Sequence, residues 1–215
     1  GQYQKSIELW EEMLDLERDN LEVMFSLAGA YYDSGDNQQS MHYLNKVLSE
    51  DEHHEKSLWI KSQIHVRLEE WPIAFRILQH LQEVNSSTIK YWRSHIDALS
   101  RIGRHEEARE IFQSAIDSID GDQKIELIYL AEEFLWRTKA RDLSRDLITE
   151  SSEPKQILLK LVEGYYSIGM VGTASRYALQ LKQRDGSLFQ QSTEISKLTN
   201  LLEWANVSLS ECGGN

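Results

Sequence analysis

The densest grouping of residues able to do chemistry is Asp51-Glu52-His53-His54-Glu55. Carboxylates beside imidazoles can hold a divalent metal. The run falls in a connection between helical segments, however, where adjacent side chains splay apart and no second shell is evident. It is expected to be a solvated polar turn. His65 and His95 stand on inner helix faces, where a packed, hydrogen-bonded histidine is the ordinary outcome. No Ser-His-Asp, Cys-His or G-x-S-x-G arrangement stands in a plausible context. The glycines punctuate helices rather than forming a phosphate-cradling loop. No catalytic residue, metal site or cofactor is expected of this segment, and it is not expected to be an enzyme.

A second set of residues points to binding. Successive helices carry, on the stripe offset from their packing face, Glu22, Phe25, Gly29 and Tyr32, then Lys56, Trp59, Gln63 and Arg67, then Lys90, Arg93, Asp97 and Arg101, then Lys124 and Leu127. Lys56, Lys90 and Lys124 are separated by 34 residues each time, as are Arg67 and Arg101. A repeated cation is therefore expected at one level of one surface, in a chain whose formal charge is −12. One reading pairs these cations with Asp97, Glu163 or neighbouring acids. The other makes Phe25, Tyr32, Lys56, Trp59, Arg67, Lys90, Arg93, Arg101 and Lys124 a groove for an acidic protein segment, with Phe25 and Trp59 as apolar anchors. Tyr166 shares the offset stripe, whereas Trp10, Trp92 and Trp136 occupy packing positions.

The elements that position these residues follow from the glycines. Gly1, Gly35, Gly103 and Gly169 each precede a small residue by five positions, in GQYQKSIELW, SGDNQQSMHYL, IGRHEEAREIF and IGMVGTASRYA. Gly35 lies 34 residues after Gly1, Gly103 lies 68 after Gly35, and Gly169 lies 66 after Gly103. A 34-residue period is the mark of a helix–turn–helix unit that stacks into a solenoid. The units read as 1–20 (the second helix of a truncated repeat), 21–54, 55–88, 89–122, a degenerate 123–154 that is two residues short, 155–187, and a closing amphipathic helix and tail over 188–215. Unit 55–88 has Glu69 in place of the turn glycine, and Leu68 is read with its core. Trp136 is read on the first helix of unit 123–154. Ala28, Ser40, Ala74, Ala108, Ala115 and Ala174 let helices approach closely, and Leu44, Trp92 and Phe112 fill the space beside them. The fold class is all-α, one continuous array of antiparallel helix pairs.

These residues resemble the tetratricopeptide repeat family, whose pattern is W-x2-L-G-x2-Y, then A-x3-F. The matches are Met24-x2-Leu27-Ala28-x2-Tyr31, Leu158-x2-Leu161-Val162-x2-Tyr165 and Ala108-x3-Phe112. The resemblance implies a right-handed superhelix whose first helices line a concave groove for an extended partner. The lysine, asparagine and arginine clamp that some members use on a chaperone's C-terminal carboxylate would fall on Phe25, Gly29, Ile60, Lys90 and Ser94. That clamp is not assembled, so a chaperone-tail adaptor is not expected.

Composition narrows the rest. A charge of −12 works against binding to nucleic acid. No apolar run reaches the roughly 20 residues of a membrane span. The single cysteine, Cys212, leaves no internal disulfide framework. Glycosylation at the Asn85 and Asn206 sequons is not expected. Because Gly1 opens in mid-repeat, the leading helix 2–18 is expected to expose apolar surface through which a second copy could dimerise. The leading expectation is a non-catalytic scaffold for a protein partner. The alternative is a recruitment or regulatory segment of a larger enzyme or envelope export machine, with a groove for a saccharide or nascent polymer. No compartment is indicated.

Overall fold

The computed structural model describes residues 2–184. The expected closing helix over 188–209, Cys212 and Asn206 lie outside the described residues. Eleven α-helices follow in order: α1 (Gln2–Leu16), α2 (Leu21–Ser34), α3 (Asn37–Glu50), α4 (Glu55–Arg67), α5 (Trp71–Val84), α6 (Ile89–Arg101), α7 (His105–Ser118), α8 (Lys124–Glu133), α9 (Arg137–Glu150), α10 (Pro154–Ser167) and α11 (Val171–Arg184). A single 3-10 turn, Gly121–Gln123, precedes α8. Among the described residues there is no strand, so the fold is all-α.

One turn is built five times. Gly35, Glu69, Gly103, Leu135 and Gly169 all have positive φ, between 57° and 90°. At each, the next N–H reaches back to the carbonyl five residues earlier: Asp36 to Tyr31, Glu70 to His65, Arg104 to Leu99, Trp136 to Ala131 and Met170 to Tyr165, at 2.7–2.9 Å. The left-handed residue's own N–H bonds the carbonyl three back. This is the Schellman closure, which satisfies the last carbonyls of the first helix. Glycine adopts the left-handed conformation without strain, whereas Glu69 and Leu135 bear a Cβ penalty. Each second helix then starts two residues later.

Packing follows the small-residue pattern. Ser40, Ala74 and Ala108 are fully buried on α3, α5 and α7, as are Ala140 and Ala174 on α9 and α11. In the first repeats Ala28, Leu44 and Ile64 form one core cluster, and Leu58, Leu78, Leu81 and Tyr91 another. Each large side chain buried there contributes on the order of 1.5–3 kcal/mol. Leu68, read as core, is half exposed because it caps α4 at the turn rather than facing α5. Trp136, read on a first helix, instead caps α9 and stacks on Phe134 at 5.4 Å.

The chain divides into two compact units, the first ending at Ser118 and the second beginning at Ile119. The second helices α3, α5, α7 and α9 each end fifteen residues after the left-handed position, so the shortened repeat loses its two residues elsewhere. The connections 51–54 and 85–88 are four residues long, whereas only 119 and 120 separate α7 from the 3-10 turn. That turn takes the place of the first turn of a longer α8.

Candidate functional site

The first-helix face of unit one is built by α2, α4 and α6. Counting back from the left-handed residue, Lys56 and Lys90 both stand thirteen positions before it, and Phe25 and Trp59 both stand ten before it. Each lysine is therefore 31 residues after the aromatic of the preceding repeat, and each meets that ring. The Lys56 ammonium lies 5.8 Å from the Phe25 centroid, and the Lys90 ammonium 5.2 Å from that of Trp59. The Arg67 guanidinium covers Tyr32 at 4.3 Å and donates to Asn37 Oδ1 at 3.3 Å. Lysine or arginine within about 6 Å of a ring centroid is attracted by the ring quadrupole.

The rings are themselves held. Phe25 meets His54 edge-on at 5.2 Å, and Trp59 leans on Tyr91 at 5.4 Å. The Tyr91 hydroxyl donates to Glu55, which also accepts from the Asn85 side-chain amide at 3.3 Å. The Tyr91 hydrogen bond, with the Asn85 bond and the nearby Lys90 charge, holds the Glu55 carboxyl below its usual range, against the opposing effect of burial. Gln63 donates to Ser94 Oγ at 3.0 Å, tying α4 to α6 across the same face.

Phe25, Tyr32, Lys56, Trp59, Arg67, Lys90, Arg93 and Arg101 all lie on α2, α4 and α6. Phe25, Tyr32 and Trp59 are half-buried, and the cations are exposed. Arg101 is answered by a carboxylate, its Nε lying 2.7 Å from Asp97 Oδ2. Lys56, Lys90 and Arg67 rest on rings instead. Phe25 and Trp59 are thus cation-covered platforms rather than bare apolar anchors.

Lys124 departs from the ladder. It belongs to the second unit and stands eleven residues before Leu135, the position filled by Met24, Leu58 and Trp92 in earlier repeats. The place equivalent to Lys56 and Lys90 is held by Asp122, which pairs with Lys160. The 34-residue spacing in sequence ceases to be a spacing on the surface because the contraction precedes α8.

The histidine-rich run caps a helix. His54 accepts from the Ser57 N–H at the start of α4, and His53 Nδ1 lies 3.0 Å from His80 Nε2. Among the described residues no three histidines, cysteines or carboxylates gather as a metal-binding group. His65 is buried, with Nδ1 2.5 Å from Glu70 Oε2. His95 stacks on Phe75 at 5.2 Å, with Gln82 beside Nδ1.

Repeat by repeat, the turn and the buried small residue of the second helix recur, and the profile of the tetratricopeptide repeat family matches residues 21–54. Residues 21–54 thus carry a tetratricopeptide repeat, and the fold of the described residues is TPR-like. The repeats align with a TPR repeat-containing protein, BH2049, of Halalkalibacterium halodurans, at 29% identity over 117 residues. That match covers 54% of this chain and 52% of the relative, so it spans about half of the relative's length. Among solved structures, crystalline MamA is similar at a TM-score of 0.51 and 17% identity, over 68% of this chain and 87% of that one. A MamA fragment from Desulfovibrio magneticus is similar at 0.51 and 15%, over 69% and 85%. At such identities the likeness is one of fold. A TPR solenoid is the architecture of a protein–protein interaction scaffold, and TPR proteins are in general non-catalytic.

Proposed function

We propose that unit one captures an acidic segment of a protein partner across the first-helix face of α2, α4 and α6. The carrying observation is the repeated placement of a lysine on the aromatic ring of the preceding repeat, Lys56 on Phe25 and Lys90 on Trp59. A ring neutralises none of the ammonium's charge, so it fixes the cation while leaving it able to meet a carboxylate, although at Lys90 the nearby Glu55 already offsets part of that charge. Net attraction speeds encounter, and contacts made on desolvation hold the complex. The saccharide alternative is less well supported, because Lys90 and Tyr91 crowd the indole on which a sugar ring would stack.

The test is fluorescence anisotropy with labelled peptides in which Glu and Asp are interspersed with Leu, against Lys-rich peptides of the same length. Lys56→Glu with Lys90→Glu should weaken the acidic peptides at least tenfold and reduce the salt dependence. The control pair Lys5→Glu with Arg76→Glu, which lies off this face, should change little. Equal binding of acidic and basic peptides, or equal losses from both pairs of reversals, would sink the proposal.

A further inference from the structure

The second helices of unit two enclose a cleft of about 480 Å³ between α9 and α11. Arg137 and Arg141 enter it from α9, one helical turn apart, and Arg176 enters from α11. Thr138 and Thr173 line it at the first turns of those two helices. Among the described residues the one carboxylate in the lining is Glu132, which accepts from the Tyr165 hydroxyl at 3.2 Å. Among the described residues three guanidinium groups therefore face a single acid, in a chain of formal charge −12.

The corresponding groove of unit one, between α5 and α7, shows that this is not a property of the repeat. Measured from the left-handed residues, Arg137, Arg141 and Arg176 replace Trp71, Phe75 and Glu110, and Thr173 replaces Glu107. In the α5–α7 groove Arg104 is neutralised by Glu107 through two donated hydrogen bonds. In the α9–α11 cleft Arg176 instead donates to the Thr173 hydroxyl at 3.2 Å, which steadies the guanidinium without cancelling its charge. The α9 N-terminus adds a further donor set, since its cap residue Trp136 supplies no side-chain acceptor for the first-turn N–H groups.

We infer that the α9–α11 cleft is a binding site for a phosphate monoester, held by Arg137, Arg141 and Arg176. Guanidinium forks match tetrahedral oxyanions in bidentate geometry, and threonine hydroxyls at helix starts supply further donors. An excess of two positive charges suits a dianion better than a single carboxylate. The volume lies within the usual range for small-ligand sites, about 300–1,000 Å³. This site is separate from the first-helix face of unit one and does not rest on the function proposed for it.

Thermal unfolding and calorimetric titration test the inference with three probes: inorganic phosphate, a phosphoserine peptide, and the same peptide carrying glutamate. Millimolar phosphate should raise the melting temperature by a few degrees over sodium chloride of equal ionic strength. Each of Arg137→Gln, Arg141→Gln and Arg176→Gln should weaken phosphate roughly tenfold, and the triple variant should lose the shift. The three side chains are exposed, and circular dichroism of the variants verifies that the fold is kept. Tighter binding of the phosphopeptide than of free phosphate assigns the ester to a protein partner, and equal binding assigns it to a small molecule. Either result supports the site. A shift that chloride reproduces, one that survives in the triple variant, or a glutamate peptide that binds as well as the phosphopeptide would overturn it.

Discussion

Tyr129 of α8 lies against the bare backbone of Gly164 in α10, and its hydroxyl donates to the Lys160 carbonyl at 3.0 Å. A Cβ at position 164 would overlap the phenol ring and its oxygen. Gly164 is thus required by close approach rather than by backbone conformation. Gly164→Ala should destabilise by about 1–3 kcal/mol through overpacking. The smaller side chain of Tyr129→Leu should recover part of that loss in the double variant. Thermal denaturation of the two single variants and the double decides it, and simple additivity would refute the contact.

His95 supplies a pH dependence. Burial, with the Arg104 charge adding to it and Glu107 opposing, lowers its pKa from 6.5 to about 4. Its neighbours are Phe75, Gln82 and Arg104, which stands over the Phe75 ring. The unfolded chain therefore binds a proton below pH 6.5 that the folded one does not take until about pH 4. Stability contributed by neutral His95 is complete above pH 6.5 and falls as pH drops toward 4, by about 3 kcal/mol in all. His95→Gln should flatten the pH profile of denaturant midpoints across that window. An unchanged slope would count against a neutral buried imidazole.

The two non-glycine turns offer a gain. Glu69 and Leu135 sit at φ of 57° and 60°, and both are exposed, Leu135 by 72%. Leu135→Gly and Glu69→Gly should each stabilise by roughly 0.5–1 kcal/mol, the relieved Cβ strain outweighing the added freedom of the unfolded chain. Gly103→Ala, made as the reverse experiment at φ 79°, should destabilise by a similar amount. Equilibrium unfolding would expose an error in sign.

Gly29 is the opposite case. It lies within α2 on the proposed partner face, and a Cβ there meets nothing within 4 Å. Gly29→Ala should add up to about 1 kcal/mol of helix stability. Gly29→Trp should leave helicity unchanged while weakening the acidic peptides that bind wild-type protein. A tryptophan without effect on binding would place the partner elsewhere.

The turns were legible because glycine, or its replacement at a fixed interval, marks the left-handed position. Glu69 was found by the interval alone. Leu135 was not, because the contraction at 119–120 moves it two residues from the expected place, and the same shift carries Lys124 off the ladder. Leu68 and Trp136 misled because an apolar residue beside a helix end reads like one inside it. The lysine–aromatic contacts were hidden for a different reason. A separation of 31 residues corresponds to no period within a helix, so it becomes visible only when two repeats are stacked. The arginine cleft was missed likewise, since Arg176 joins Arg137 and Arg141 only through helix packing.

The ammonium of Lys90 over the indole of Trp59 has an optical consequence. A charge held 5.2 Å from the ring shifts the energy of its excited state, so displacing that charge changes the emission. The chain holds six tryptophans, and the Lys90→Gln spectrum subtracted from that of wild type isolates the contribution of this contact. A carboxylate drawing Lys90 off the ring would thus announce itself as a spectral change without any label, giving the protein a built-in gauge of occupancy at the centre of its first-helix face.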